Sequence, residues 1–147
     1  MRNAPLPTLN HLIRRGIADR DLYRQAVGAV REPGLRAVIG EIAESLDAVI
    51  LDLQREVTRR GGKAALTGTA TGMTRRSIAE MSAAVSRDPD GTYIRCLEQT
   101  ESRLLEAFER ENEAPVDAEI GRLIARHLPR LRNIHLDVSS LAQAARS

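Results

Sequence analysis

The chain has 147 residues, which is enough for one domain with its own core. Apolar residues make up 42% of it, which excludes a disordered tail, and aromatics only 2%, which argues against a β-sandwich and for a core of Leu, Ile, Val and Ala. Its 21 Arg and single Lys63 are nearly balanced by acids, to a net charge of +2. The doublets at 14–15, 59–60 and 75–76 are interspersed with acids, so nucleic acid is not an expected partner.

The first predicted helix runs from Thr8 to Val30. Leu9, Leu12, Ile13, Gly16, Tyr23, Val27 and Val30 recur at three- and four-residue steps, and Thr8 is the expected cap. After the turn Glu32-Pro33-Gly34, the second helix spans Pro33 to Arg60, with Leu35, Val38, Ile39, Ile42, Leu46, Val49, Leu53 and Val57 on one face. Gly61 and Gly62 end it, and the short turn requires the two helices to lie antiparallel. Residues 61–73 read as loop, and Thr74 to Ser86 as a short helix. Asp88 caps a third long helix that starts at Pro89, runs to Glu111 and carries Tyr93, Ile94, Leu97, Glu101, Leu104 and Phe108. The fourth, Val116 to Ala144, carries Ile120, Leu123, Ile124, His127, Leu131, Ile134, Val138 and Leu141. Pro129 lies inside it, at a cost of about 3 kcal/mol unless a kink absorbs it, so a bend or break is expected there.

These elements predict an all-α protein, an antiparallel four-helix bundle with a short extra helix between its second and third long helices. A connection of about 25 residues is long enough to cross the length of the bundle, although an up-down-up-down path fits the same elements.

Chemistry in such a bundle needs ionisable groups on the inward stripes. At 100° per residue, Glu101 and His127 fall at the centre of theirs, His135 and Arg20 on shoulders, and Ser45 is the polar residue nearest the second stripe. All five lie near mid-helix, where antiparallel helices share a layer. One reading is a buried polar layer of Arg20, Ser45, Glu101, His127 and His135 in which Glu101 pairs with Arg20. The other is a metal site of Glu101, His127 and His135, taking iron or manganese. A di-metal centre needs Glu-x-x-His, which occurs nowhere in the chain, and Arg20 puts a positive charge where a carboxylate would be wanted. Glu44 and Asp47 have the spacing of such a motif but face outward.

Gly61-Gly62-Lys63 lacks phosphate-loop spacing, and Ser45, Ser77 and Ser102 have no histidine–carboxylate partners. Cys96 reads as a packing residue and His11 as surface. One cysteine, no apolar run of membrane length and no signal-like N-terminus make the cytoplasm the expected location.

The segments Leu9-Asn10-His11-Leu12-Ile13, Tyr23-Arg24-Gln25-Ala26 and Glu32-Pro33-Gly34-Leu35 resemble the start of a bacterial ferritin-like family of unknown function. The loop from Gly68 to Gly72 with Arg75 and Arg76 is similar to that family's crossover, and Glu101, Phe108 and His135-Leu136-Asp137 to its last two helices. The resemblance implies that residues 1–147 form a single ferritin-like domain with a stress-related role. It also implies a ferritin-related metal site, at whose first-helix and second-helix places stand Arg20 and Ser45. The expected protein is thus a non-catalytic ferritin-like bundle with a degenerate centre and no cofactor. The alternative is a metal-binding oxidase or iron handler using Glu101 and His135. A homodimer is the expected assembly by base rate.

Overall fold

The structure, a computed structural model, describes residues 4–69, 81–82 and 84–146. All secondary structure among them is helical. Four long helices carry the chain: α1 (Pro5–Ala29), α2 (Pro33–Arg59), α3 (Pro89–Glu113) and α4 (Ala118–Arg146). The predicted short helix at 74–86 falls mostly outside the described residues, as do Arg75, Arg76 and Ser77; residues 84–87 are helical.

The helix ends follow local chemistry. Glu32 accepts from the amides of Gly34 and Leu35, and Asp88 from that of Gly91, each just ahead of a proline that has no amide hydrogen to satisfy. Gly61 takes φ +82°, the left-handed conformation that closes α2. Thr8 is not a cap: α1 begins a turn earlier at Pro5, no side chain caps it, and the Thr8 hydroxyl is buried inside its second turn. Nor does Pro129 break α4, which is continuous through it. Pro129 and Ala125 both face solvent, so the carbonyl that the proline leaves unpaired is open to water.

Inward residues alternate by three and four. In α1 this spacing joins Leu9, Leu12, Gly16, Asp19, Tyr23 and Ala26, and Val30 just past its end, with Ile13 and Ile17 also buried beside them; in α3 it joins Ile94, Leu97, Glu101, Leu104 and Phe108, with Leu105 buried beside them. That is a repeat of 3.5 residues, the spacing that keeps a seam on the partner helix over a long contact. The buried apolar side chains of all four helices form one cluster.

Cross-helix contacts fix the directions. Along α1 and α2 the contacts Leu6–Gly62, Gly16–Ile50, Arg20–Asp47 and Val27–Gly40 run in opposite senses. The same holds for α1 and α3 (Gln25 with Tyr93, Arg31 with Asp90), for α3 and α4 (Glu101 with His135, Glu109 with Arg132), and for α2 and α4 (Asp52 with His127, Arg60 with Asp117). α2 and α3 therefore run in the same direction, whereas an up-down-up-down path would oppose them. α2 ends beside the start of α1 and α3 starts beside the end of α1, so their connection spans the length of the helices. Its first part lies on α1. Asn10 holds Lys63 O and Ala65 N, Gln54 donates to Ala65 O, and Thr69 N donates to Arg14 O. Gly68 rests on Ala18, where a Cβ would come within 2.9 Å of the Ala18 nitrogen.

No helix among the described residues is long and apolar enough to cross a membrane.

Candidate functional site

Where α1, α3 and α4 meet, polar side chains interrupt the aliphatic core. Glu101 is fully buried, and its Oε2 lies 2.7 Å from Nδ1 of His135, whose side chain is 37% exposed. With Glu101 a carboxylate, the Nδ1–H of His135 donates. Asp19 and Tyr23, one helical turn apart on α1, face Glu101 and are themselves fully buried. Both Asp19 carboxyl oxygens, the Tyr23 hydroxyl and Glu101 Oε1 have no hydrogen-bond partner among the described residues.

Burial alone raises the pKa of a carboxyl, and a second carboxyl beside it raises it further. Burial, with the charge of Glu101 beside it, holds Asp19 well above the usual carboxylate range. Glu101 is also raised by burial, against the pull of the His135 hydrogen bond and charge, and Glu98 adds to the rise. Burial likewise pushes the Tyr23 phenol out of its ordinary range, aided by Asp19 and then Glu101. Burial thus favours the neutral form of Asp19, while Glu101 has the half-exposed imidazole of His135 as its partner.

The single five-residue layer expected from sequence does not form. Arg20 does not reach Glu101; it pairs with Asp47 of α2 at 2.8 Å and Asp21 at 3.0 Å. The residue that α1 turns to Glu101 is Asp19, so the first helix does bring a carboxylate to the centre. Ser45 is half-buried beside the aliphatic stripe of Ile42, Leu46 and Val49. His127 is buried as expected, but it belongs to a different site. Its Nε2 lies 2.8 Å from Asp52 Oδ2 of α2, and eight residues of helix, about 12 Å, separate it from His135. Burial lowers the His127 pKa, the Asp52 hydrogen bond and charge oppose this, and Arg130 and Arg126 add to the lowering.

Asp19, Tyr23 and Asp52 are the site residues that the sequence reading missed. The three-four alternation through Gly16, Asp19 and Tyr23 was the available signal for Asp19. Asp52 had none, because only the α2–α4 register brings it to His127.

These residues do not fit a pair of metal ions. Near the depth of Asp19 and Glu101, the buried side chains of α2 are aliphatic, Leu46, Val49 and Ile50, and one imidazole is already bonded to one of the two carboxylates. Among the described residues no three His, Cys, Asp or Glu side chains gather so as to hold a metal ion. Cys96 is partly buried, and burial raises its thiol pKa.

No curated protein and no solved structure matches the chain. Residues 5–112, covering α1, α2, the connection and almost all of α3, match one family whose description is Domain of unknown function. That match spans well over half of the chain, which therefore belongs to the DUF2383 family.

Proposed function

We propose that the chain is a ferritin-like four-helix bundle that works without a metal centre. It is a non-catalytic protein that acts through assembly or partner contacts, and a proton-holding layer of Asp19, Tyr23, Glu101 and His135 stands where a di-metal pair would stand. The observation that carries this reading is the pairing of two fully buried acids, Asp19 and Glu101, with an aliphatic α2 beside them. Two carboxylates without a cation between them cannot both ionise in a dry core, so Asp19 keeps a proton and Glu101 is met by the hydrogen bond of His135. The connection spanning the helices supports the ferritin-like arrangement. A stress-related role in a bacterial cytoplasm, as a homodimer, is the setting that the family resemblance implies.

The test is metal analysis of protein purified without chelator from cells supplied with iron and manganese. The expected content is well below one ion per chain, with no change in thermal stability on adding either metal. A second reading is favoured by the unpartnered oxygens of Asp19 and Glu101, which one divalent cation would satisfy. Stoichiometric metal that is lost in Asp19→Asn would overturn the first reading in favour of the second.

A further inference from the structure

Away from the core layer, α2 and α4 are less closely packed than the other neighbouring helices, and a groove of about 390 Å³ opens between them. It is lined by Asp52, Arg55, Glu56 and Arg59 of α2 and by Glu119, Arg122, Leu123 and Arg126 of α4. Its carboxylates are already engaged. Asp52 holds His127, Glu56 holds Arg59 and Arg60, and Glu119 holds Arg59. The remaining guanidiniums have at most a long ion pair. Arg55 and Arg126 come no closer than 3.9 Å to Asp52, and Arg122 has no carboxylate partner among the described residues. Arg130 adds its charge from the next turn, enough to act on His127.

Surplus guanidiniums facing each other across a groove match an anion with several oxygens and more than one charge. The groove is bounded at one end by the ion pairs Arg60–Asp117 and Arg59–Glu119, which tie α2 to α4. Acids interleaved along both walls disfavour a long polyanion such as duplex DNA, which requires an uninterrupted positive face. We propose that the α2–α4 seam binds a small polyphosphate group through Arg55, Arg122 and Arg126. The group comes either as free polyphosphate or as the phosphate tail of a nucleotide. His127, buried against Asp52 at the edge of this groove, is its built-in reporter: an anion seated on Arg126 favours the imidazolium and raises its pKa.

The experiment titrates the full chain with inorganic triphosphate, ATP and adenosine by calorimetry at low and at physiological salt, and follows the histidine ring signals by NMR. Binding of one triphosphate per chain is expected, with an upward move of the His127 titration. The double variant Arg122→Gln, Arg126→Gln should weaken binding at least tenfold. Arg103→Gln, on the α1–α3 side, should leave it unchanged. Equal affinity for triphosphate and ATP assigns the site to free polyphosphate, and tighter ATP assigns it to a nucleotide. Adenosine should not bind. The variant arginines are exposed and make no close ion pair, so their loss leaves the fold intact. Failure of triphosphate to bind, wild-type affinity in the double variant, or equal loss in Arg103→Gln would overturn the proposal.

Discussion

Replacing Asp19 with Asn tests whether the core holds a proton there. Asn keeps the shape of a neutral carboxyl and cannot titrate. In the wild type the folded chain holds the Asp19 proton well above the ordinary carboxyl value of 3.8 at which the unfolded chain releases it. Between those two pH values the native state binds one more proton than the unfolded state, so stability falls as pH rises, by about 1.4 kcal/mol per unit. The contribution is fully present below pH 3.8 and is lost as pH rises through the folded pKa. Other shifted groups act elsewhere. Asp117, lowered to about 2 by Arg60, and Glu56, lowered by Arg59, add stability above the ordinary carboxylate range and lose it only as pH falls. His127, lowered by burial, adds stability as pH rises towards 6.5. These terms are common to both proteins and cancel in the difference. The assay is urea unfolding followed by helical circular dichroism at half-unit steps from pH 4 to 9, comparing unfolding free energies at equal m-values. The wild type should lose ground against Asp19→Asn by up to about 1.4 kcal/mol per unit until the folded Asp19 titrates, after which the difference levels off. A difference that is flat over the whole range, or that favours the wild type increasingly as pH rises, would refute the proton-holding layer.

Tyr23→Phe removes a buried hydroxyl that has no partner among the described residues, so the variant should melt at the wild-type temperature or higher, with a gain of up to about 1–2 kcal/mol. A double-mutant cycle on Arg20→Leu and Glu101→Leu should give a coupling within about 0.5 kcal/mol of zero, because the two residues have different partners. A cycle on Glu101→Leu and His135→Leu should couple measurably in the same unfolding assay. Gly68→Val should cost about 1–3 kcal/mol and expose 62–69 to proteolysis, since its Cβ would be driven into the Ala18 backbone.

Much of this architecture was legible because local chemistry and tertiary packing agree. The stops at Glu32-Pro33-Gly34, Gly61-Gly62 and Asp88-Pro89 are backbone requirements, and each falls where the structure places it. Glu101 was legible for the same kind of reason: it repeats the positions of Ile94 and Phe108 under either a 3.5 or a 3.6 period. Asp19 was not. A wheel at 100° per residue started at Leu9 has drifted by roughly 30° ten residues later relative to a seven-residue repeat, and that drift carries Arg20 inward and Asp19 outward. In the seven-residue frame the two flank Gly16 and Tyr23 symmetrically: Asp19 shares the place of Leu12 and Ala26, and Arg20 that of Ile13 and Val27. Which flank meets an acid and which meets the core then depends on the helix lying on each side, and no local pattern in α1 carries that information.

That dependence runs through the connectivity of the chain. Because α2 and α3 run in the same direction, α1 lies between them, and its two flanks face different partners: Arg20 meets Asp47 of α2, and Asp19 meets Glu101 of α3. α4 is likewise placed between α3 and α2, and its two inward histidines divide in the same way, His135 to Glu101 and His127 to Asp52. An up-down-up-down path would place α1 and α4 side by side and remove both separations. The splitting of one expected layer into a proton-holding core and an arginine-lined seam is therefore a consequence of the crossover. The two sites should be separable by mutation: Asp19→Asn should leave the His127 titration unmoved, and Asp52→Asn, which removes the charge that opposes burial, should lower it. If Asp19→Asn shifts His127 as far as Asp52→Asn does, the two sites are one network and this account of the crossover is wrong.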